Sequence, residues 1–404
     1  MKSANVLDTP PAELWLKRLQ ENDKGKPIPN TANVAIALEN APELKGIVKL
    51  DEFAGKLMLS ACPPWERRFE SRPWRDADDT ELLVWLQENG LQLRGVQTVA
   101  DAVRMVAKRH SYDPLADYLN GLAWDGHARL SIWLHFYLNA PDTPLNRAIG
   151  RAFVISAVAR GLNPGCQADH VMSLEGLQGT GKSTLVRILG GDWTQENLPD
   201  MHSKDGMAAL AGAWFVELSE LAAMTRSEVE AVKSFISRTV DRYRQAYGRH
   251  VIEQPRRCVF VATTNEQTYL RDQTGNRRFW PVECGQIQRE ELEADRDQLF
   301  AEAAQAYRNG EAWHFTDPEV IAEATAAQEL RVEHDPWLED ISGFVAGRTS
   351  VTTGEILGML DIPRERSSGP QAKRIAGLMR RLGFEGKESW EGGQREYRWK
   401  LKAP

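Results

Sequence analysis

Long apolar runs are missing from this 404-residue chain. None approaches the ~18 consecutive apolar residues that suggest a membrane-crossing helix, and the opening "MKSANVLDTPPAELW" has no signal-type apolar segment. A cytoplasmic protein with no membrane partner is the expectation. Cysteine is scarce: Cys62, Cys166, Cys258 and Cys284 are scattered, without C-x-x-C spacing or a histidine partner pattern, which argues against a zinc site and a disulfide framework. An overall positive charge is missing too. At a net charge of -7 nothing global marks a nucleic-acid binder. Internal repeats and low-complexity tracts are absent, which removes solenoids and linker arrays.

What the chain does have is charge unevenly placed. Residues 345 to 404 carry 12 Lys/Arg against 7 Asp/Glu, whereas residues 286 to 340 carry 4 against 15. A basic tail therefore follows an acidic, helical stretch. The length predicts two to four folded units. Residues 1 to 95 read as an α+β accessory domain, with "DDTELLVWLQENG" a helix that Gly90 stops. Residues 96 to 165 read as a helical oligomerisation or collar region containing "TVADAVRMVAKRH" and "NRAIGRAFVISAVARGL". From 166 to 285 the period changes: "HVMSLEG", "AWFVEL" and "RRCVFVATTN" are short apolar runs, as expected for strands of a parallel α/β sheet buried on both faces. Residues 286 to 344 return to acidic helices. Residues 345 to 404 combine helices with "KESWEGGQREYRWKL", a Gly-Gly hairpin pattern that predicts a winged-helix-like domain.

"EGLQGTGKST" places G-x-x-x-x-G-K-S between a strand pattern and a helix pattern, the context that a phosphate-binding loop requires. Gly176, Gln178, Gly179, Thr180, Gly181, Lys182, Ser183 and Thr184 are the candidate nucleotide-binding residues. Glycines let backbone N–H groups wrap phosphates, the following helix N-terminus favours their charge, Lys182 reaches the β- and γ-phosphates, and Ser183 ligates Mg²⁺. ATP and Mg²⁺ are the expected cofactors. Such a site needs acids at a neighbouring strand end, and "GAWFVELSEL" supplies Glu217 and Glu220 for metal-shell and water-activating work. Glu217 is placed with Ser183 at the metal. Asn265, ending the strand in "CVFVATTN", is placed to sense the γ-phosphate or orient the water.

Between these strands, "DRYRQAY" and "HVIEQ" are expected to pair as a basic hairpin with Gly248 and Arg249 at its tip. Arg244, Arg249 and His250 are the candidate DNA contacts, with aromatic neighbours for stacking. Lys233 and Arg238 on the preceding helix are left between DNA and subunit contact. Asp76 and Asp78 in "RDADD" have the D-x-D spacing of a primase metal site, but they precede a helix, and capping it is the expected role.

Four stretches together resemble a superfamily 3 helicase core, and more closely the virulence-associated protein E family of phages and prophages: "YLNGLAWDGHARLSIWL", "GLQGTGKST", "VELSEL" and "ATTNEQTYLRDQTGNRRFWPV". The resemblance spans roughly residues 97 to 284. It implies an α/β P-loop ATPase core of AAA+-like, superfamily 3 type. It also implies an oligomeric ring, a hexamer being the expected number, that hydrolyses ATP at subunit interfaces and moves on single-stranded DNA. A separate primase is a further partner that it allows. In such rings an arginine after the Asn-bearing strand reaches the neighbouring subunit's ATP, which makes Arg277 and Arg278 the candidates here. One departure stands out: superfamily 3 members commonly place two acids adjacently, whereas Leu218 and Ser219 separate Glu217 from Glu220. Two other functions remain open from the residues, a non-unwinding NTPase acting as initiator, loader or defence switch, and a winged-helix regulator with a structural nucleotide site.

Overall fold

A computed structural model of the chain describes residues 14–197, 203–244, 250–270, 275–333, 335–362, 369–391 and 394–402. The chain divides into two units, Met1–Arg331 and Val332–Pro404.

The first unit opens with α1 (Thr31–Asn40), capped by Asn30, whose side chain accepts from the Asn33 N–H. An antiparallel sheet follows, of β1 (Val48–Asp51), β2 (Lys56–Leu59) and β3 (Arg72–Pro73), and then α2 (Asp76–Glu88) and α3 (Val96–Arg109). Asp78 begins α2 as a cap: it accepts from the Arg75 N–H at 2.7 Å and from both terminal nitrogens of Arg72. Its charge is thereby satisfied by an arginine, and among the described residues no group of three or more His, Cys, Asp or Glu could hold a metal ion. Val99, Val103 and Val106 recur at helical spacing along α3, and they are buried with Val34, Leu38, Leu82 and Leu86. This core therefore runs past residue 95 and takes α3 with it.

The helices α4 (Pro114–Gly121), α5 (Trp133–Leu138) and α6 (Pro144–Leu162) lead to the main sheet. It is built from β4 (Val171–Glu175), α7 (Lys182–Gly190), β5 (Thr194–Gln195), α8 (Lys204–Ala209), β6 (Phe215–Leu218), α9 (Arg226–Ile236), the hairpin β7 (Val240–Tyr243) and β8 (Ile252–Pro255), β9 (Val259–Thr264) and β10 (Phe279–Glu283). The five parallel strands stand in the order β10-β4-β9-β6-β5. Period-two alternation explains why β9 is apolar throughout: Val259 and Val261 enter the large core with α6 and with α10 (Arg289–Arg308), while Phe260 meets Phe235 of α9 on the other face. Pro281 is tolerated because β10 is an edge strand, where a missing N–H breaks no ladder on the outer side. The unit closes with α11 (Pro318–Glu329).

The second unit has its own core, with Ile341, Val351, Ile356, Ile375, Met379 and Trp399 buried together. It consists of α12 (Trp337–Val345), β11 (Ser350–Thr352), α13 (Thr353–Met359), α14 (Pro370–Arg381), β12 (Phe384–Glu391) and β13 (Gln394–Leu401), the strands in the order β11-β13-β12. β12 and β13 pair antiparallel as far as Glu391 opposite Gln394, and the expected Gly-Gly tip lies outside the described residues. No helix among the described residues is long and apolar enough to cross a membrane.

Candidate functional site

The loop from Gly176 to Gly181 joins the end of β4 to the start of α7, so it sits at the C-terminal edge of the parallel sheet. Glycine is required there for a steric reason. A Cβ on Gly176 would lie 2.6 Å from the Cys284 carbonyl oxygen, and Gly181, at φ 102°, precedes α7 in a left-handed conformation. The loop's flank is fixed by hydrogen bonds from the Cys284 N–H to the Glu175 carbonyl at 2.7 Å and from the Ile287 N–H to the Thr180 carbonyl at 3.2 Å. Gln178 and Gly179 form the exposed outer part of the loop, while Thr180 and Thr184 are half-buried.

Lys182 is buried at the first position of α7. Its ammonium donates to the carbonyls of Gly176 at 2.7 Å and Leu177 at 2.9 Å, and to Asn265 Oδ1 at 3.0 Å. Burial pulls this ammonium below the usual lysine range. The Cys284 thiol beneath the loop is pushed up to about 12, chiefly by its own burial, and is held as a neutral packing group. Beside Lys182, Ser183 Oγ donates to Glu217 Oε1 at 2.7 Å, and Thr263 Oγ1 donates to the same oxygen at 2.9 Å. Glu217 is 3 % exposed. The ends of β4, β6 and β9 thus converge, bringing Lys182 with Asn265 and Ser183 with Glu217 into two adjoining hydrogen-bonded sets. A hydroxyl and a carboxylate oxygen side by side form a hard-oxygen pair of the kind Mg²⁺ accepts together with nucleotide phosphates.

Glu220 is part of neither set. It is exposed, in a left-handed conformation at φ 54° that is uncommon for a residue with a Cβ; its carbonyl accepts from the Ala223 N–H at 2.8 Å, but its carboxylate has no hydrogen bond or ion pair to the described residues. Arg277 and Arg278 lie in a short 3-10 turn just before β10. Phe279 pairs with Val171 and Glu283 with Glu175, so the arginines precede the strand by which β4 climbs to Gly176. Five residues of strand put them about 17 Å from the phosphate loop, at the opposite edge of the sheet. There they line a cavity of about 570 Å³ with Asp169, His170, Trp280 and Phe315. Arg278 is half-buried and donates from Nε to Ser237 Oγ at 2.9 Å, while Arg277 is exposed.

The expected hairpin is present as the antiparallel β7 and β8, with Arg242 paired across it to Glu253 at 3.0 Å. Its root is a buried ion pair in which Arg256 donates to both oxygens of Asp241. Arg244 and His250 are exposed at its outer end, and Arg249 lies outside the described residues. Lys233 is buried and donates to Asn276 Oδ1 at 3.0 Å, which turns it inward rather than toward a DNA strand; Arg238 lies over the Phe235 ring.

Four residues at or behind the loop escaped the sequence reading. Thr263 is visible only as part of "ATTN". Glu175, the last residue of β4, is clamped by Arg331 through two hydrogen bonds, Nε to Oε1 at 2.6 Å and Nη2 to Oε2 at 2.7 Å. Tyr269 donates to the same carboxylate at 2.6 Å, and burial raises its phenol well above the usual range.

No curated protein matches the chain. Among solved structures, it is similar to apo structures titled as the C-terminal region of NrS-1. One is 11% identical, covering 88% of this chain and 96% of that one at a TM-score of 0.47, and another is 13% identical, covering 90% and 98% at 0.46. A RuvB mutant from Thermotoga maritima is 15% identical, covering 64% and 95% at a TM-score of 0.24. A family model, by contrast, matches residues 119–333, beginning later than the stretch of resemblance read from the motifs and continuing through α10 and α11 to include Arg331. That match covers just over half of the 404 residues and holds the phosphate loop, the acids, Asn265 and both arginines, and the chain belongs to the family of the Virulence-associated protein E-like domain.

Proposed function

We propose that this protein is an ATP-driven motor of superfamily 3 helicase type, with an AAA+-like core, that acts on single-stranded DNA for a phage or mobile element. The observation that carries the reading is the convergence of Lys182, Ser183, Glu217 and Asn265 from three adjacent strand ends onto one loop. In this reading the backbone N–H groups from Gly179 to Thr184 cradle the phosphates, and Lys182 donates to the terminal one. Mg²⁺, held by Ser183, Glu217 and the phosphates, would supply charge neutralisation at the bond being broken. Water attacks the γ-phosphorus, the bond to the ADP oxygen breaks, and the water's proton passes to a carboxylate. Glu217 is engaged with Ser183 and Thr263, which leaves Glu220 as that proton acceptor and Asn265 as the group orienting the water.

The distance from the loop to Arg277 and Arg278 supports action in trans. An arginine at the far edge of its own sheet can meet a γ-phosphate only when a second copy brings its loop there, in a head-to-tail arrangement that closes into a ring. Exposed Arg277 is then the finger, and Arg278, held by Ser237, fixes the turn that presents it. The β7–β8 hairpin, with Arg244, Arg249 and His250, tracks the DNA backbone. The region from 1 to 95 together with α3 is an accessory domain, the helices α4 to α6 a collar, α10 and α11 an acidic helical region, and the basic stretch from 345 to 404, with α12 in its core, a winged-helix-like module for duplex or origin DNA.

The test is the ATP turnover rate with and without single-stranded DNA, with the solution mass measured in the presence and absence of ATP and Mg²⁺. Stimulated turnover with a ring-sized mass is expected. Turnover indifferent to DNA would favour the loader or switch, and duplex binding without turnover the regulator.

A further inference from the structure

The helix α10 begins with a cation. Arg289 is its first residue, where the partial positive charge of the helix N-terminus disfavours an arginine and favours an acid. Its guanidinium is also turned onto the phosphate loop: Nε and Nη2 stand 3.1 Å and 3.2 Å from the point a Cβ on Gly181 would occupy. The Arg289 guanidinium forms no hydrogen bond or ion pair with the described residues. Two helix N-termini, those of α7 and α10, and two cations, Lys182 and Arg289, therefore meet around one glycine. Glu290 and Glu291 follow in the same turn of α10, but no described carboxylate pairs with the Arg289 guanidinium, and an unpaired cation turned onto the loop points to an anion supplied from outside.

The segment that carries Arg289 is held from both sides. Gly285 and Gln288 donate to the carbonyls of Leu138 and Tyr137, Asn139 donates to the Gln286 carbonyl at 2.6 Å, and Ile287 donates to Thr180 of the loop itself. The guanidinium is thus presented on a braced stretch of backbone. Strand order then fixes which end of a nucleotide it meets. β4 lies between β9 and β10. On the β9 side stand Asn265 and Glu217, where the γ-phosphate must lie for hydrolysis; Arg289 follows β10, on the other side.

We infer that Arg289 is a second cation of the nucleotide site, acting within its own subunit on the α-phosphate side of the loop and binding ATP and ADP alike. The inference rests on the phosphate-loop reading. Because the contact is equal in ground and transition states, its loss appears in KM rather than in kcat.

The experiment is a calorimetric titration of the full chain and of Arg289→Ala and Arg289→Lys with MgADP and with a non-hydrolysable ATP analogue, alongside steady-state ATP kinetics. For Arg289→Ala, both affinities should fall by the same factor, about ten- to hundredfold for a charge-assisted hydrogen bond, with KM for ATP rising in step. Arg289→Lys, which keeps the charge, should recover part of the loss. Unchanged affinities, a loss confined to the ATP analogue, or a fall in kcat without a change in KM would each overturn the inference. Wild-type protein that binds neither nucleotide would instead overturn the reading of the site beneath it. Arg289 is exposed, so the Ala variant should melt with wild-type protein; if it does not, the ratio of the two affinities in Arg289→Lys decides.

Discussion

At the scale of single residues, Glu217 and Glu220 are three positions apart in the sequence and in quite different surroundings. Glu217 is buried against Ser183 and Thr263, whereas Glu220 is exposed on a left-handed backbone. The uncommon conformation and the unpaired carboxylate of Glu220 support the proton-accepting role proposed for it. Glu220→Gln is therefore expected to bind ATP normally but to lower turnover at least a hundredfold, while Glu217→Gln should also weaken the Mg²⁺ dependence of binding. Nucleotide titrations with and without Mg²⁺ on both variants check this, and normal turnover by both would remove the assignment of this strand. His170 makes a second case, unrelated to the loop. Ser156 gives its hydroxyl proton to the Phe153 carbonyl, so His170 must donate its Nε2 proton to Ser156 Oγ, and it stacks on Trp280 at 3.8 Å as the neutral ring. Burial first, and then Arg160, lower its pKa to about 3. Since the unfolded chain then binds more protons between pH 6.5 and 3, stability from this residue is complete above 6.5 and is lost as the pH falls. Between pH 7 and pH 5 the wild type should lose about 2 kcal/mol more than His170→Phe in denaturant titrations. Equal losses would show that the ring is not held neutral. Of these residues the sequence displayed Lys182, Ser183 and Glu217, because a phosphate loop and a strand-end acid are local patterns. It could not divide Arg277 from Arg278, since adjacency carries no information about which of two side chains is buried.

Among the elements, the phosphate loop is tied to more than its own strand. Glu175 ends β4, Arg331 follows α11, and Tyr269 follows β9, and the three meet although Arg331 lies 156 positions beyond Glu175. No periodicity announces a pairing over that distance, which is why the sequence hid it. The helix α3 shows the same limit in another form. Its apolar face was plain in "TVADAVRMVAKRH", but a periodicity says which side of a helix is buried and not what covers it, and the cover is α1 and α2. The strands β4, β6 and β9, by contrast, were legible because burial on both faces leaves an uninterrupted apolar run. The Arg331 clamp has a measurable consequence. Arg331→Met should destabilise the first unit by about 3 kcal/mol, because it leaves the Glu175 carboxylate buried without its cation. Adding Glu175→Gln should restore much of that loss, since an amide costs far less to bury than a charge. Denaturant midpoints of the two single variants and the double variant test it, and additive losses would show that the pair contributes nothing as a pair.

For the whole molecule, what matters is that the two candidate halves of an ATP site stand on opposite edges of one sheet. The loop and its acids follow the strands, the arginine turn precedes β10, and about 17 Å of strand separates them. If the arginine turn belongs to the ATP site, a monomer with this layout cannot complete that site on itself. The motifs alone placed the arginines after Asn265 in the chain, and only the parallel pairing of β10 with β4 shows that this position lies at the far end. From that separation a complementation experiment follows. Lys182→Ala removes the cation at the terminal phosphate but leaves the arginine turn intact. Arg277→Ala removes the exposed guanidinium but leaves the loop intact, and the loss of such a charge-neutralising group can reach ~10³-fold in rate. Each variant alone should be nearly inactive. Mixed under conditions in which subunits exchange, the two should regain turnover, because some interfaces then pair an intact loop with an intact arginine. With equal mixing in a ring, about a quarter of interfaces have both, so recovery should approach a quarter of the wild-type rate if interfaces act independently, and less if they fire in concert. Arg278→Ala separates the two arginines: if Arg278 only fixes the turn through Ser237, Arg278→Lys should retain more activity than Arg277→Lys, whose planar fork has no substitute. Subunit exchange demonstrated by mass, with no recovery of turnover in the mixture, would rule out action in trans and return both arginines to the wall of the cavity they line.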